Sequence, residues 1–337
     1  MIFSSINLSL DVYSVYYVHK LVKVIQYEEF MRSILEQQSY SLVFSGHETF
    51  PLRQTWLKKI VDIADENGNV EKKKFSDPQL IAELGVGKNM LSSMKHWALS
   101  CEIIKESTSS LFTLTDLAKK VLSNGGYDPY SESITTTWLL HWILASKGKR
   151  STSIYYMFNR LNSNKFKKKD LSSEINHLVD SKGKNISPNS LSKDLDVALR
   201  SYSVKIGHEG EYKEDFAEPV FSELGLVNQL DEGHFSFNRG PKESLNNYLF
   251  AYSLLDFWSV NTGTANTLSL DRVTYSEGSP GRVFKLDENS VAERLLQIEE
   301  ITNGHLIWSD IAGIKQISRK NNELEPIKEM LLEKAYE

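Results

Sequence analysis

The first clear pattern of apolar and polar positions has the period of a helix, and it follows a polar turn. Apolar residues recur there at helical spacing: Leu52, Trp56, Ile60 and Ile63. Pro51 suits a first helical turn and Thr49 suits an N-cap, so the pattern predicts a helix over residues 51–65. The N-terminal end of this helix has unpaired backbone N–H groups and the positive end of the helix dipole, which favour binding of an anion such as a phosphate.

Residues 76–124 show a different order of elements. The pattern predicts, in turn, a helix over 76–84, a glycine break at 85–87, a helix over 88–98, two strands within 101–115 and a helix over 116–123. Two short helices followed by a two-stranded wing are typical of a winged helix, whose second helix recognises DNA. The same layout also serves for protein docking, so both interpretations stay open.

The predicted recognition helix has an apolar and a polar side. Its inner side contains Met90, Leu91 and Met94 with Trp97 or Ala98, and its outer side contains Lys88, Asn89, Ser92, Ser93, Lys95 and His96. Amide, hydroxyl and ammonium groups suit contacts with phosphates and base edges. We therefore select Lys88, Asn89, Ser92 and Lys95 as candidate DNA contacts.

The second half of the chain adds further cations and one buried histidine. Residues 135–145 are apolar on nearly every face, which predicts a central helix with His141 as a hydrogen-bonded core residue. Residues 146–153 follow with three cations and four hydroxyls, and residues 279–282 form a rigid turn. Lys149, Arg150 and Arg282 are candidate DNA contacts. Residues 146–153 lack the residue spacing of a P-loop.

The carboxylates of residues 187–215 are less favoured candidates for catalytic residues. Asp194 and Asp196 diverge on a predicted helix, where Asp196 and Arg200 have the spacing of an ion pair. A second acidic group contains Glu209, Glu211, Glu214 and Asp215. Acids beside a lysine occur in metal-dependent nucleases, but no strand framework is evident around them, so a solvated loop is the preferred interpretation.

Composition limits the class of protein. The 337 residues include 44 acidic and 39 basic side chains, so a uniformly basic nucleic-acid coat is excluded and any such surface must be local. The single cysteine, Cys101, excludes an intrachain disulfide and a cysteine-based zinc cluster. Charges interrupt the apolar run over residues 8–25, so we predict a cytoplasmic protein without a signal peptide or membrane span.

These patterns predict a mainly α fold of the α+β class. A winged-helix-type N-terminal domain precedes a helical domain with short β hairpins. The predicted boundaries are an extension over residues 1–42, a winged-helix domain over 43–125, a central helical domain over 126–240 and a C-terminal helical and β domain over 241–337.

An ordered set of motifs resembles the bacterial family that includes SspB. The set comprises residues 44–59, Leu-Gly-Val-Gly-Lys-Asn-Met at 84–90, Trp-Leu-Leu-His-Trp at 138–142, residues 190–202, Leu-Gly-Leu at 224–226 and Gly-Ser-Pro-Gly-Arg-Val-Phe at 278–284. The resemblance covers residues 43–318. It implies a DNA-acting subunit of a bacterial phosphorothioation defence system, in which sulfur replaces one oxygen of a backbone phosphate.

The resemblance also implies an activity and partners. SspB-like members are DNA nickases, which places the chain on double-stranded DNA beside a cysteine desulfurase, an ATPase and an ATP-pyrophosphatase-like subunit. Phosphodiester hydrolysis needs an acid or base and a charge stabiliser, often with a divalent metal, so Mg²⁺ or Mn²⁺ is the expected cofactor. The oligomeric state is open, with a homodimer among the candidates.

The polar segment ahead of the first helix supplies our catalytic candidates. We assign His47 as general acid or base, Glu48 as metal ligand or orienting group, and Arg53 as the cation that holds the phosphate. In the structural alternative, Glu48 caps the helix and His47 satisfies a turn. Two other functions compete with nicking: a non-catalytic recognition subunit, and a transcription regulator whose residues 125–330 sense a ligand or dimerise.

Overall fold

The computed structural model describes residues 33–37, 39–205, 219–261 and 265–337. The chain divides into two units, Met1–Ser41 and Leu42–Glu337. The described part of the first unit contains a short 3-10 helix, Ile34–Glu36, capped by the side chain of Ser33. The second unit is mainly helical with small sheets, so the predicted α+β class is confirmed. The predicted boundaries at residues 125 and 240 stay predictions.

The beginning of the second unit combines short helices with one small sheet. Its elements are the helices α1 (Gln54–Asp62), α2 (Pro78–Leu84), α3 (Lys88–Ser100) and α4 (Asp116–Leu122) and the strands β1 (Asn69–Glu71), β2 (Ile104–Glu106) and β3 (Leu111–Leu114). The sheet has the order β1-β3-β2, and both pairs are antiparallel. A 3-10 helix, Lys72–Ser76, connects β1 to the helix pair.

The break between α2 and α3 has a local cause. Asp77 accepts the backbone N–H of Gln79 at 2.9 Å and so caps α2, and Gly85 ends it in the left-handed conformation with φ 63°. Then α3 begins after Gly87 and continues two residues beyond the predicted end. Leu91 and Met94 lie in the core, as predicted.

The predicted start of the first helix is wrong. The backbone of Thr49 is left-handed with φ 68°, and Phe50 N–H donates to His47 O at 2.8 Å, so residues 47–50 form a turn. As a result, α1 begins only at Gln54, with Arg53 at the N-cap position and no side-chain cap. Its end is also earlier than predicted, at Asp62.

The middle of the second unit contains longer helices and a mixed sheet. The helices are α5 (Ile134–Lys147), α6 (Thr152–Asn159), α7 (Lys168–Ser181) and α8 (Pro188–Tyr202), and the strands are β4 (Lys165–Lys167), β5 (Ser203–Lys205), β6 (Val227–Asp231) and β7 (His234–Phe237). The sheet order is β4-β7-β6-β5, with β5 and β6 parallel and the other pairs antiparallel. A 3-10 helix, Val220–Leu224, precedes β6.

The last part of the chain packs a long helix and several short ones against a third sheet. The helices are α9 (Asn247–Asn261), α10 (Leu270–Tyr275), α11 (Pro280–Val283), α12 (Glu288–Leu296), α13 (Ile298–Ile301) and α14 (Glu325–Lys334), and the strands are β8 (Thr267–Ser269), β9 (Leu306–Ile311) and β10 (Ile314–Arg319). This sheet is antiparallel in the order β8-β10-β9.

The core surrounds α5, which is buried from Thr135 to Ser146. His141 is fully buried, and its Nδ1 and Nε2 lie 2.8 Å from Tyr202 Oη and 3.1 Å from Val283 O. Burial lowers the pKa of His141 to about 3, so the ring is neutral at neutral pH. The prediction of a hydrogen-bonded core histidine is confirmed. In the described part of the chain, no helix has the length and apolarity to cross a bilayer.

Candidate functional site

The segment ahead of α1 is a strained loop. Gly46 has φ 109°, and two non-glycine residues of the same loop, Glu48 and Thr49, have φ 48° and 68°. A β-branched residue such as Thr49 rarely adopts a left-handed backbone, and each such residue costs on the order of 1–3 kcal/mol. Strain of this kind concentrates at functional sites, which makes residues 46–50 the first candidate.

Helix α8 holds this loop at two points. Asp194 Oδ1 lies 2.7 Å from His47 Nε2, and Arg200 Nη2 donates to Thr49 O at 2.7 Å. His47 Nδ1 accepts the backbone N–H of Thr49 at 3.2 Å, which places the imidazole proton on Nε2, where it is donated to Asp194. His47 is therefore a buried, oriented side chain that links α8 to the turn.

A second histidine lies beside the pair. The rings of His47 and His96 are 5.7 Å apart in an edge-to-face arrangement, and Trp97 stacks near His47 at 6.5 Å. Gly46 passes so close to His96 that an added Cβ would lie 2.6 Å from its Nδ1. Burial, reinforced by His47 and Arg150, lowers the pKa of His96 to about 3, so this ring is also neutral.

A small cleft opens next to the two histidines. It is lined by residues from the loop, α3, the start of α6 and α8: His47, His96, Trp97, Arg150, Ser151, Ser153, Ile154, Asp194, Val197 and Ala198. Arg150 is the cation of this set and Asp194 its carboxylate, so the cleft combines hydrogen-bonding groups with an apolar wall. Of these residues, His47 and Arg150 are sequence-predicted candidates.

The predicted outer side of α3 is only partly correct. Lys88 and Asn89 are exposed, and Ser92 and Lys95 are partly exposed. The prediction is wrong for Ser93 and His96, which are buried because α3 packs against α1 and the strained loop as well as the core. Lys95 Nζ lies 5.8 Å from the ring of Phe75.

The three predicted catalytic residues have different surroundings. His47 is 7% exposed, whereas Glu48 is exposed at the bend of the loop. Arg53 is partly exposed, and its guanidinium carbon lies 5.5 Å from the ring of Trp56. Their catalytic roles stay predictions. The hydrogen bond from Thr49 to His47 matches the structural alternative for the histidine, whereas Glu48 does not cap α1.

The cations of residues 147–150 are held by carboxylates. Lys147 Nζ lies 3.2 Å from Glu102 Oε2 and 3.4 Å from Asp256 Oδ2. Lys149 Nζ contacts Glu102 Oε1 at 2.9 Å, and Arg150 Nη2 contacts Glu106 Oε1 at 3.1 Å. Glu102 and Glu106 belong to the segment around β2, so ion pairs connect this segment to the residues between α5 and α6.

Arg282 does not extend outward as a free cation. Its Nε and Nη2 donate to Asn159 O at 2.9 and 2.6 Å, and Nη2 also donates to Asn162 Oδ1 at 2.7 Å. Ser279 caps α11 around it. The guanidinium thus satisfies the carboxyl end of α6, and its role as a DNA contact stays a prediction.

The predicted acidic residues Asp194 and Asp196 have different partners. The predicted ion pair between Asp196 and Arg200 is wrong, because Asp196 Oδ1 binds Lys168 Nζ at 2.7 Å while Arg200 turns to the loop. The second acidic group, residues 209–215, lies outside the described residues. Within the described part of the chain, no three His, Cys, Asp or Glu side chains are grouped so that they could hold a metal ion.

Comparison with known proteins defines the class. The chain belongs to the DUF4007 family, described as a protein of unknown function, whose model matches residues 44–336. No curated protein matches the sequence. The structure is similar to a magnesium ion-bound SspB crystal structure, with a TM-score of 0.79, 26% identity and 90% of each chain covered.

A second SspB crystal structure gives a TM-score of 0.78 and 27% identity over 88% of each chain. The resemblance to the family that includes SspB is thereby confirmed, and the chain is SspB-like. SspB in the first structure carries a magnesium ion.

Sequence reasoning missed His96 and Ser153 as members of the site, and it named Asp194 as a weaker acidic candidate without predicting its contact with His47. Asp194 is 147 residues from His47 and gives no local signal of their contact. His96 was predicted on the wrong side of its helix. Ser153 was only one hydroxyl in a polar loop, and its burial depends on how α6 packs. The Gly-His-Glu-Thr sequence, with a β-branched residue in a turn, was the one usable sign of the strained loop.

Proposed function

We propose that this chain is the DNA-binding subunit of a DNA phosphorothioation system and that it nicks one strand to allow sulfur incorporation. The observation that carries the proposal is the polar side of α3, displayed in the helix and strand order of a winged helix within an SspB-like fold. The proposed partners are double-stranded DNA and the desulfurase, ATPase and pyrophosphatase-like subunits implied by the resemblance.

The winged-helix interpretation rests on the order of elements from α1 to β3. A helix, a strand, two helices and an antiparallel strand pair follow each other, with the turn between β2 and β3 exposed as a wing. In proteins of this type the second helix of the pair enters the major groove. In this chain that helix is α3, with Lys88 and Asn89 exposed at its start.

The proposed nicking centre is the strained loop. Asp194 orients His47, and the exposed Glu48 and partly exposed Arg53 flank it in sequence. To accept a proton, His47 must release the Thr49 N–H from Nδ1, and this 3.2 Å hydrogen bond is longer than the 2.7 Å contact with Asp194. A small movement of the turn would therefore free Nδ1 while leaving the imidazole anchored.

Magnesium does not fit the residues of this loop. Mg²⁺ prefers octahedral oxygen ligands and usually retains several waters. The loop offers the exposed carboxylate of Glu48 and a histidine nitrogen, the nearby carboxylate of Asp194 already binds that histidine, and no group of three ligands is found in the described residues. The proposed proton transfer uses these side chains alone, and the nicking assay tests the predicted Mg²⁺ or Mn²⁺.

Supercoiled plasmid tests the nicking proposal. The intact chain with Mg²⁺ or Mn²⁺ is expected to produce open circles, and Glu48→Gln and His47→Gln should slow this by about 100-fold or more if the side chains act in proton transfer. Glu66→Gln, which removes the same negative charge at another exposed position, is the control. Retained DNA binding with no open circles under any metal, alone or with the partner subunits, would overturn nicking.

A non-catalytic recognition subunit is the second candidate. It is favoured by His47, whose two ring nitrogens are both engaged and whose side chain is buried. In that case α3 binds DNA and the strained loop only supports the fold. Unchanged DNA affinity together with equal inactivity of the parent and of Glu48→Gln would support this candidate.

A further inference from the structure

We infer that the cleft beside His47 binds one phosphate group, through Arg150, Ser153 and the start of α6. The inference deepens the proposed function and rests on it for the source of the ligand, a phosphate of the nucleic-acid backbone. The pair of His47 and Asp194 lines the same cleft, so a phosphate held there lies against the proposed nicking centre.

The first evidence is an unsatisfied hydroxyl. Ser153 is 2% exposed and lines the cleft, and its Oγ has no hydrogen-bond partner among the described residues. Leaving a buried hydroxyl unpaired costs about 1–3 kcal/mol. Four other buried serine hydroxyls also lack a partner among the described residues, but Ser153 is the one of them that lines the cleft, where a ligand oxygen can complete it.

The second evidence is the uncapped start of α6. Ser151 is the N-cap residue of this eight-residue helix but makes no side-chain cap. Its hydroxyl donates instead to Leu144 O at 3.0 Å. The positive end of the helix dipole therefore lies at the cleft without the usual side-chain acceptor, an arrangement that favours an anion.

The third evidence is charge. Arg150 lines the cleft with a side chain that is 43% exposed, and its partner is the carboxylate of Glu106 at the surface. A guanidinium has donors for a carboxylate and a phosphate at once. The carboxylate of Asp194 opposes an anion, but it is occupied by the Nε2 proton of His47. His96 is neutral, so it adds no charge to the cleft.

The test measures binding of inorganic phosphate and of a short single-stranded oligonucleotide to the intact chain at fixed ionic strength. Arg150→Gln should weaken phosphate binding about tenfold or more, and Ser153→Ala should weaken it several-fold. Lys184→Gln removes an exposed cation that does not line the cleft and should leave both affinities unchanged. If the ligand is backbone phosphate, the oligonucleotide affinities fall in the same order.

Thermal unfolding separates binding from a structural role of Ser153. Ser153→Ala removes an unpaired hydroxyl, so Tm without phosphate should stay constant or rise while affinity falls. A lower Tm with parental affinity for both ligands would show a structural role and overturn the inference. Parental affinities in both variants would also overturn it, whatever the nicking result.

The failure of the proposed function has a different signature. Phosphate binding that depends on Arg150 and Ser153, in a chain that binds no DNA, would identify a site for free phosphate and refute only the DNA assignment. Intact nicking with unchanged ligand affinities in both variants would refute the cleft alone. If the parent binds neither phosphate, nor the oligonucleotide, nor double-stranded DNA, both proposals fail.

Discussion

The outer side of α3 and the segment over residues 147–150 are both cationic, but their charges have different partners. Lys88 and Lys95 have no carboxylate partner among the described residues. Lys147, Lys149 and Arg150 are each paired with one or two carboxylates. Paired charges connect elements of the fold, whereas unpaired charges at the surface remain available for a polyanion.

The sequence predicted both groups as DNA contacts without distinguishing them, and the structure shows that their charges have different partners. Sequence gives the position of a lysine but not its partner. Asp256 is distant in sequence from Lys147, and its contact changes a predicted surface cation into a structural one. Arg150 falls between the two groups, because it is paired and also lines the cleft.

The largest expected effect is the loss of Asp256. Asp256 is buried, and it binds Lys147, Lys328 and the Trp142 indole N–H. Asp256→Ala leaves the Trp142 indole N–H unpaired and leaves Lys147 and Lys328 only their contacts with Glu102 and Glu325, so the free energy of unfolding should fall by about 3 kcal/mol, measured by chemical denaturation. Lys88→Ala should change it by less than about 0.5 kcal/mol. Equal stability of both variants would show that the paired cluster does not support the fold.

Glu102→Gln should have a smaller effect that depends on pH. Burial acts to raise the pKa of Glu102, but the charges of Lys147 and Lys149 outweigh it, and the pKa is lowered. A lowered folded-state pKa stabilises the fold above the unfolded value near 4.5, and this stabilisation is lost as pH falls through the folded value. The variant should lose about 1 kcal/mol at pH 7, measured by denaturation.

The difference between Glu102→Gln and the parent should then shrink below pH 4.5, because the parent's carboxylate becomes protonated. Measurements from pH 7 to pH 3 test this sign directly. A difference that stays constant over this range would mean that Glu102 supports the fold through packing and not through its charge.

Glu106→Gln should affect DNA binding more than stability. The change releases Arg150 and removes one exposed negative charge beside the cleft. DNA affinity at low salt should rise about threefold, measured by fluorescence anisotropy, because less repulsion opposes the phosphates. Glu71→Gln, which alters an exposed acid paired with Lys73, is the matched control. Equal affinities for the two variants would exclude Arg150 from the interface.

The smallest expected effect concerns the unpaired cations. Lys88→Ala and Lys95→Ala should each weaken DNA binding and reduce the slope of log K against log salt by about 0.9, the value for one phosphate contact. Affinity titrations at several salt concentrations measure this slope. Unchanged slopes for both variants would show that DNA does not contact this side of α3.

Local structure was predicted well where it depends on neighbouring residues. The helix at residue 88, the strands β2 and β3 and the burial of His141 follow from periodicity and glycine breaks. The start of α1 failed because residues 47–50 adopt a turn that is held by contacts with α8. The predictions for Ser93 and His96 failed because periodicity assigns one buried side to a helix, whereas α3 is covered on two sides.

The candidate site was only partly accessible from sequence. The loop was selected for its residue types, and His47 does lie in a strained, oriented position. Its partner Asp194 and the cleft at the start of α6 depend on tertiary packing. No local pattern predicts that the hydroxyl of Ser153 is buried without a partner, since Ser151 in the same segment donates its hydroxyl to Leu144 O and Ser146 does not line the cleft.

The contact between His47 and Asp194 has a consequence for how the protein is made. During translation the histidine leaves the ribosome 147 residues ahead of the aspartate that anchors it. A nascent chain or a proteolytic fragment that stops at residue 125 contains α3, β2 and β3 but not α8. Such a fragment retains the cations of the proposed recognition helix and lacks the group that orients the histidine, so this part of the site matures only after most of the polypeptide has been synthesised.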